Sequence, residues 1–350
     1  MSRMTSPLDL TRAPQANPLN LYRYRDGLYA VDLLTAAVVW LDFFTWLEKN
    51  PSNFATICRT LEITDRPTDV MLSLFVANGL VKADINGVYH NTELAKEFLV
   101  EGSPWNVKPY YGSLKERPVC KDYLTVLRTG KPANWGGYKG AQDWHKSMET
   151  PGFAQSFTAA MDCRGIYLGQ ALAKALDLRN RQRLLDVAGG SGIYACSLVA
   201  ANPNLQATVL DKPPVDQIAA QLIRERGFAD RISVAAGDMF ADPYPQDCDV
   251  HLISNVIHDW DVTEARKILV RSAEALPKGG LIAIHDMHLN RDKNGPLPVI
   301  EYSCLLMHST EGRCYSVGEL ERWLGELGFG NFGFALTAAD RSVLTAVKLK

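Results

Sequence analysis

Apolar and polar positions follow two periods along this chain, and the change from one to the other divides it. Over the first hundred residues the period is helical. Phe54, Ile57 and Leu61 share one face of a helix predicted over residues 52–61, with Ser52 as its N-cap. After a turn at 62–67, Val70, Met71, Leu74 and Phe75 repeat the pattern in a helix over 68–78. Residues 80–83 and 88–90 flank Asn86-Gly87 and read as a small hairpin. Residues 33–47 are strongly apolar, with Trp40, Phe43, Phe44 and Trp46, but Asp32 and Asp42 leave fewer consecutive apolar residues than a bilayer span needs. A buried or partner-facing helix is expected there. A long helical run over 149–176 carries Phe157, Met161, Gly165 and Leu168 at helical spacing.

From residue 183 short apolar runs alternate with helical segments. Strands are predicted at 184–187, 207–210, 232–236, 250–254 and 281–284, with helices at 193–201, 215–226 and 263–275. Strand, helix, strand, helix is the order of a doubly wound parallel α/β sheet. A helix over 316–327, capped by Ser316, and strands at 332–336 and 343–347 close the chain. The expected organisation is residues 1–100, then linking helices over 101–180, then an α/β domain over 181–350. The middle region is dense in aromatics: Trp105, Tyr110, Tyr111, Tyr123, Trp135, Tyr138, Trp144, Phe153 and Phe157, most of them expected in core and dimer packing.

Composition narrows the function classes. The 350 residues are 47% hydrophobic and 22% charged with a formal charge of -2, an ordinary soluble composition with no electrostatic pull toward nucleic acid or an anionic membrane. Seven cysteines, odd in number and without a Cys-x-x-Cys pair, indicate neither a disulfide framework nor a zinc cage, and a reduced cytoplasmic setting is expected. Residues 1–18 are polar, with no apolar signal core. Helix, turn, helix, hairpin is also the outline of a winged helix, which raises DNA binding; but residues 68–78 hold no Lys or Arg to reach bases or phosphates, so a structural role is expected.

The candidate chemistry begins at the first α/β strand. Leu184, Leu185 and Val187 run into Gly189, Gly190 and Gly192, a turn that exposes backbone amides at a helix N-terminus. The spacing fits neither the phosphate loop, which ends in Lys-Ser/Thr, nor the nicotinamide fingerprint. Asp186 lies inside that strand and Asp211 at the tip of the next, where α/β nucleotide sites hold a ribose through a bidentate acceptor. One strand further, Gly237-Asp238-Met239-Phe240 pairs an acid with apolar side chains, a combination suited to an adenine amino group and ring face.

Together, Leu185-Asp186-Val187-Ala188-Gly189-Gly190-Ser191-Gly192, Leu210-Asp211-Lys212-Pro213 and Gly237-Asp238-Met239-Phe240 resemble the S-adenosylmethionine site of class I methyltransferases. With Val256-Ile257-His258-Asp259-Trp260, the chain resembles the caffeic acid and hydroxyindole O-methyltransferase family over nearly its whole length. The resemblance implies a Rossmann-like sheet ending in an antiparallel hairpin, and a winged-helix-like N-terminal domain that makes a homodimer and closes part of the substrate pocket. It also implies cofactor contacts from Asp186, Ala188, Gly189, Gly190, Asp211, Asp238, Met239 and Phe240, with Ser254 standing where some relatives place a lysine.

His258 matches the family's general base, and Asp286 stands where the family has a glutamate orienting it. A second family glutamate is replaced by Cys314, for which Glu301 or Glu311 could substitute. Phe157, Met161, Cys304, Leu305 and His308 match acceptor-facing positions; Arg164 stands where a polar substrate contact is common and could grip an acceptor carboxylate. No acid cluster is built for a bridging metal. The implied activity is S-adenosylmethionine-dependent methyl transfer to a small aromatic hydroxyl. The shortened and missing carboxylates leave open a carbon or nitrogen acceptor, or a non-methylating relative that uses the cofactor for decarboxylation, hydroxylation or rearrangement.

Overall fold

The structure, a computed structural model, describes residues 9–133 and 144–350. Its centre is a seven-stranded sheet. β4 (Arg183–Val187), β5 (Gln206–Asp211), β6 (Ile232–Ala236), β7 (Val250–Ser254), β8 (Leu281–Asp286), β9 (Phe329–Leu336) and β10 (Ser342–Lys348) lie in the order β6-β5-β4-β7-β8-β10-β9. The first five pair in parallel, and β10 runs antiparallel to both β8 and β9. The expected α/β sheet with an antiparallel last hairpin is therefore present. The chain steps outward from β4 to β6 and returns on the other side of β4 at β7, so the topological switch point lies between β4 and β7, where open α/β sheets bind ligands.

The strands form where apolar residues run continuously because both faces are covered. Leu184, Leu185 and Val187 in β4, and Leu252 and Ile253 in β7, are buried. β8 is longer than its apolar run predicts: His285 and Asp286 continue the ladder, paired with Val343 and Ser342. Their polar groups have partners within the fold, which is what allows such residues inside a sheet.

The N-terminal part holds a three-stranded antiparallel sheet of β1 (Ser52–Asn53), β2 (Val81–Ala83) and β3 (Val88–Asn91), with the helices Phe54–Leu61 and Asp65–Ala77. Two local expectations change. Ser52 does not cap the first helix, because it pairs with Tyr89 in β1; Asn53 caps instead, its side chain accepting from Thr56 N at 2.9 Å. Residues 33–47 are not one helix: an α-turn at Ala30–Thr35 passes into a π-helical turn at Ala36–Trp40, and a new helix, Phe43–Lys49, begins after Asp42 at φ 49°. Asp42 holds this corner by accepting from Thr45 Oγ1 and Lys108 Nζ.

Six described helices lie where the sequence reading set no bounds: Leu19–Asp26, Glu93–Leu99, Lys108–Gly112, Pro118–Thr129, Trp144–Met148 and Leu297–Ser309. The last leaves the sheet after β8 and packs into the N-terminal core, where Val299, Ile300 and Leu306 meet Met71, Phe75 and Tyr123. This helix thus ties the chain that follows β8 to the N-terminal core. Tyr123 and Phe153 are buried as expected, whereas Trp105 and Tyr110 are exposed. Trp135 and Tyr138, and the side chain of Trp144, lie outside the described residues. No single described helix is long and apolar enough to cross a membrane.

Candidate functional site

Beyond Val187 the chain turns back on itself through Ala188, Gly190 and Gly192, all at positive φ. Gly189 is required for another reason: a Cβ there would lie 2.7 Å from Asp186 Cγ and 2.9 Å from Val209 Cγ1. Asp186 therefore sits under the loop rather than on the wall of the cavity described below, and its carboxyl, pushed up to about 7 by burial, faces the Ala195 N–H. It is not among the residues that line that cavity. Asp211, at the tip of β5, accepts from Gly190 N and Lys212 N, each at 2.8 Å, and burial raises its pKa to about 6.

A cavity of about 450 Å³ opens at the switch point, within the usual size of small-molecule sites. Ala188, Gly189, Gly190, Asp211, Asp238, Met239, Phe240 and Ser254 line one end. Asp238 spends one oxygen on its own turn, accepting from Phe240 N at 2.8 Å. Trp260 meets the Phe240 ring edge-on at 4.5 Å between centroids. Ser254 is tied into a buried chain: its hydroxyl bonds His285 Nδ1 at 2.9 Å and accepts from Asn255 Nδ2 at 3.0 Å, and His285 Nε2 reaches Thr337. Burial lowers His285 to about 3, so its ring is neutral.

His258 stands on a short 3₁₀ turn, Ile257–Asp259, directly after β7. Its Nδ1 lies 2.5 Å from Asp286 Oδ1 at the end of β8, and its Nε2 3.6 Å from Asp259 Oδ1. Burial alone would lower the imidazole pKa; the carboxylates of Asp286 and Asp259 outweigh it, and the net shift is upward. Asp286 also accepts from Met287 N at 2.8 Å; burial pushes its pKa up, but His258 prevails and the carboxyl stays below its ordinary value. The shorter aspartate thus reaches the ring without displacing the strand.

Phe157, Met161, Arg164 and Leu305 line the same cavity, with Tyr302. Two expected pocket residues do not. Cys304 is fully buried with its thiol directed to Ile300 O, and His308 lies in the N-terminal core, bonded to Asp122 and packed on Tyr29 and Tyr123, because both point away from the cavity on helix Leu297–Ser309. Gly165 faces helix Ile193–Ala201, where a Cβ would collide with the Ile193 side chain. Cys314 is buried, and neither proposed substitute reaches His258: Glu311 pairs with Lys131, and Glu301 lies against Gly27. The second carboxylate at the imidazole is Asp259, inside the motif itself. Asn255, with positive φ, and Tyr302 are further wall residues that sequence reasoning passed over. Asn255 directly follows the β7 run; Tyr302 lies at helical spacing after Pro298, a proline at the start of a helix. Among the described residues no group of three or more His, Cys, Asp or Glu is placed to hold a metal ion.

The model of the O-methyltransferase domain matches residues 122–330. The chain belongs to this family. It is 32% identical to the 3-hydroxy-5-methyl-1-naphthoate 3-O-methyltransferase of Streptomyces sahachiroi over 86% of each chain, and 30% identical to the acetylserotonin O-methyltransferase of Bos taurus over 88% of this chain and 91% of that one. The structure of an O-methyltransferase family 2 protein from Planctomyces limnophilus, in complex with apigenin, superposes with a TM-score of 0.87 at 30% identity, covering 99% of this chain and all of that one. As an O-methyltransferase of this family, the enzyme draws its methyl group from S-adenosylmethionine. The cavity suits that ligand: Asp211 is a half-buried acid with acceptor capacity to spare, Gly190 leaves open space where a side chain would stand, and Asn255 Oδ1 is buried without a hydrogen-bond partner.

Proposed function

We propose that the enzyme methylates a hydroxyl on a small aromatic acceptor, with His258 as general base and Asp286 as the residue that positions it. The observation that carries this is the His258–Asp286 contact at the wall of a cavity whose other end has the residues for an adenosyl ligand. When bound, the cofactor supplies an electrophilic methyl on sulfur. Asp211 accepts the ribose hydroxyls, Met239 and Phe240 flank the adenine, and Asp238 takes its amino group or a hydroxyl. A carboxylate at Nδ1 keeps the proton there, so Nε2 presents its lone pair to the acceptor hydroxyl and takes its proton. Phe157, Met161 and Leu305 hold the ring and exclude water, and alignment of the reacting atoms supplies much of the rate.

The N-terminal helices and three-stranded sheet support a winged-helix-like dimerisation domain, to which the exposed Leu21, Tyr24 and Tyr110 would contribute contact surface. Seven free thiols support a cytoplasmic setting. The decisive experiment follows labelled methyl from S-adenosylmethionine into a panel of phenols and hydroxynaphthalenes. Wild-type enzyme should label oxygen, and His258→Ala should bind S-adenosylhomocysteine normally while losing about 10²–10⁴-fold in turnover. Label on carbon or nitrogen, or unchanged turnover in the variant, would overturn the assignment.

A further inference from the structure

Arg66 lies in the stretch expected to be a turn, and the structure places it in the first turn of helix Asp65–Ala77. Val70, Met71, Leu74 and Phe75 root that helix in the N-terminal core, which fixes where the Arg66 side chain starts. Its guanidinium bonds four main-chain carbonyls. Nη2 donates to Gly130 O at 2.8 Å, and Nη1 to Gly312 O at 2.8 Å, Thr310 O at 3.1 Å and Met307 O at 3.2 Å. Gly130 ends helix Pro118–Thr129 and Met307 lies in the last turn of helix Leu297–Ser309, so two helix C-termini turn their negative ends toward one cation. Burial lowers the Arg66 pKa to about 10, with Glu311 and Asp261 opposing the shift, and the charge persists at neutral pH. Two of the four carbonyls belong to a strip, residues 310–315, that backs the base. Gly312 lies against the main chain of His258, where any side chain would overlap the His258 carbonyl, and Tyr315 donates its hydroxyl to Trp260 O at 2.7 Å. Thr310 reaches the cavity wall and Arg66 does not.

We propose that Arg66 is a positioning residue for methyl transfer: anchored in the N-terminal core, it clamps the strip 310–315 and so holds the His258 turn against Asp286. This rests on the reading of His258 as the base. A forked guanidinium suits the task, because one rigid plane of donors fixes several acceptors at once and leaves none of these carbonyls to find another partner. The effect reaches the imidazole through its distance from Asp286. His258 is faced by Asp286 and the neutral His288 from β8 and the residues after it, by Asp259 on its own turn, by Arg164 from helix Pro151–Ala175, and by the Tyr302 ring edge-on from helix Leu297–Ser309. Burial and Arg164 lower its pKa, and the two carboxylates outweigh them. A turn that drifts from Asp286 loses part of the raising influence and keeps the burial, so the imidazole pKa falls.

Arg66→Met and Arg66→Lys in the full-length enzyme test this. Affinity for S-adenosylhomocysteine, which binds at the other end of the cavity, reports that each variant is folded and should stay close to wild type. Turnover of a phenol should fall about ten- to a hundredfold in Arg66→Met, the scale of a catalytic group misplaced by about 1 Å. Magnetic resonance of histidine-labelled enzyme, with His258 assigned through His258→Ala, reads the imidazole pKa directly, and it should move down in Arg66→Met. Arg66→Lys should recover part of both, since one ammonium keeps the charge but cannot span the carbonyls of Gly130 and Gly312 as the fork does. A merely structural arginine would lower the unfolding midpoint and leave the His258 pKa of the folded enzyme where it was. An unchanged His258 pKa in Arg66→Met therefore overturns the proposal, whatever happens to stability. Should that variant not fold, Arg66→Lys decides in its place, and a wild-type pKa and kcat in it overturn the proposal equally. A lowered pKa alongside undiminished turnover in His258→Ala would instead remove the base reading and leave the hold of Arg66 on the turn standing.

Discussion

Asp286 Oδ1 and His258 Nδ1 approach to 2.5 Å although one residue ends β8 and the other follows β7, so two adjacent parallel strands hold the pair in register. The carboxylate raises the imidazole pKa above the ordinary 6.5, against the opposing effect of burial. A base must be neutral to act, so kcat/KM on a phenol should rise with pH through a midpoint above 6.5, lying on the acid side of activity. Asp286→Asn removes the charge and leaves desolvation in place. The midpoint should then move down while maximal turnover falls, because the ring loses its anchor. pH–rate profiles of the two enzymes decide this, and an upward shift in the variant would contradict the assignment.

Asp211 titrates in a range open to direct measurement. Burial holds its carboxyl at about 6, with the Gly190 and Lys212 amides opposing the rise. Only the ionised form accepts from two ribose hydroxyls, so cofactor affinity should increase as pH rises through 6 and level off above 7. Affinity for S-adenosylhomocysteine at pH 5 should be about tenfold below that at pH 8. Asp211→Asn should flatten this dependence and weaken binding by about 2–3 kcal/mol. Calorimetry across that range is the check, and equal affinity in wild type and variant at pH 8 would remove the ribose role.

Much of this architecture was legible because it rests on local rules. Continuous apolar runs marked β4 to β7, the glycine cluster marked the first turn, and Ser316 caps the helix as expected, with Glu319 completing a capping box. What stayed hidden depends on contacts distant in sequence. Helix Leu297–Ser309 is apolar on nearly all sides because it is buried between the two halves, so no amphipathic stripe marked it. The same burial turned Cys304 and His308 inward while Leu305 and Tyr302 reached the cavity, a distinction of one helical face that the residue types could not make. Asp186 looked like a ligand because it lies in the apolar strand just before the glycine turn; only the position of Gly189 above it shows that its carboxyl is covered.

Gly312 gives the sharpest steric test. It lies against the backbone of the His258 turn: a Cβ there would overlap the His258 carbonyl and stand 2.6 Å from Trp260 N. These are main-chain atoms, with no flexible side chain to yield. The segment cannot easily retreat either, since Arg66 Nη1 holds the carbonyl of Gly312 at 2.8 Å and those of Met307 and Thr310 beside it, and Tyr315 binds Trp260 O at 2.7 Å. Gly312→Ala should therefore push His258 away from Asp286. A cost of about 1–3 kcal/mol in stability is expected, as for overpacking in a tight interior, together with a larger proportional loss in kcat than in cofactor affinity. Gly325→Ala is the control: it is exposed on helix Val317–Glu326 with open space around it, and should be neutral or stabilising by up to about 1 kcal/mol. Denaturant unfolding and turnover of both variants settle the matter. Full activity in Gly312→Ala would mean that the turn carrying His258 can move without penalty, and that its close fit is not what places the base.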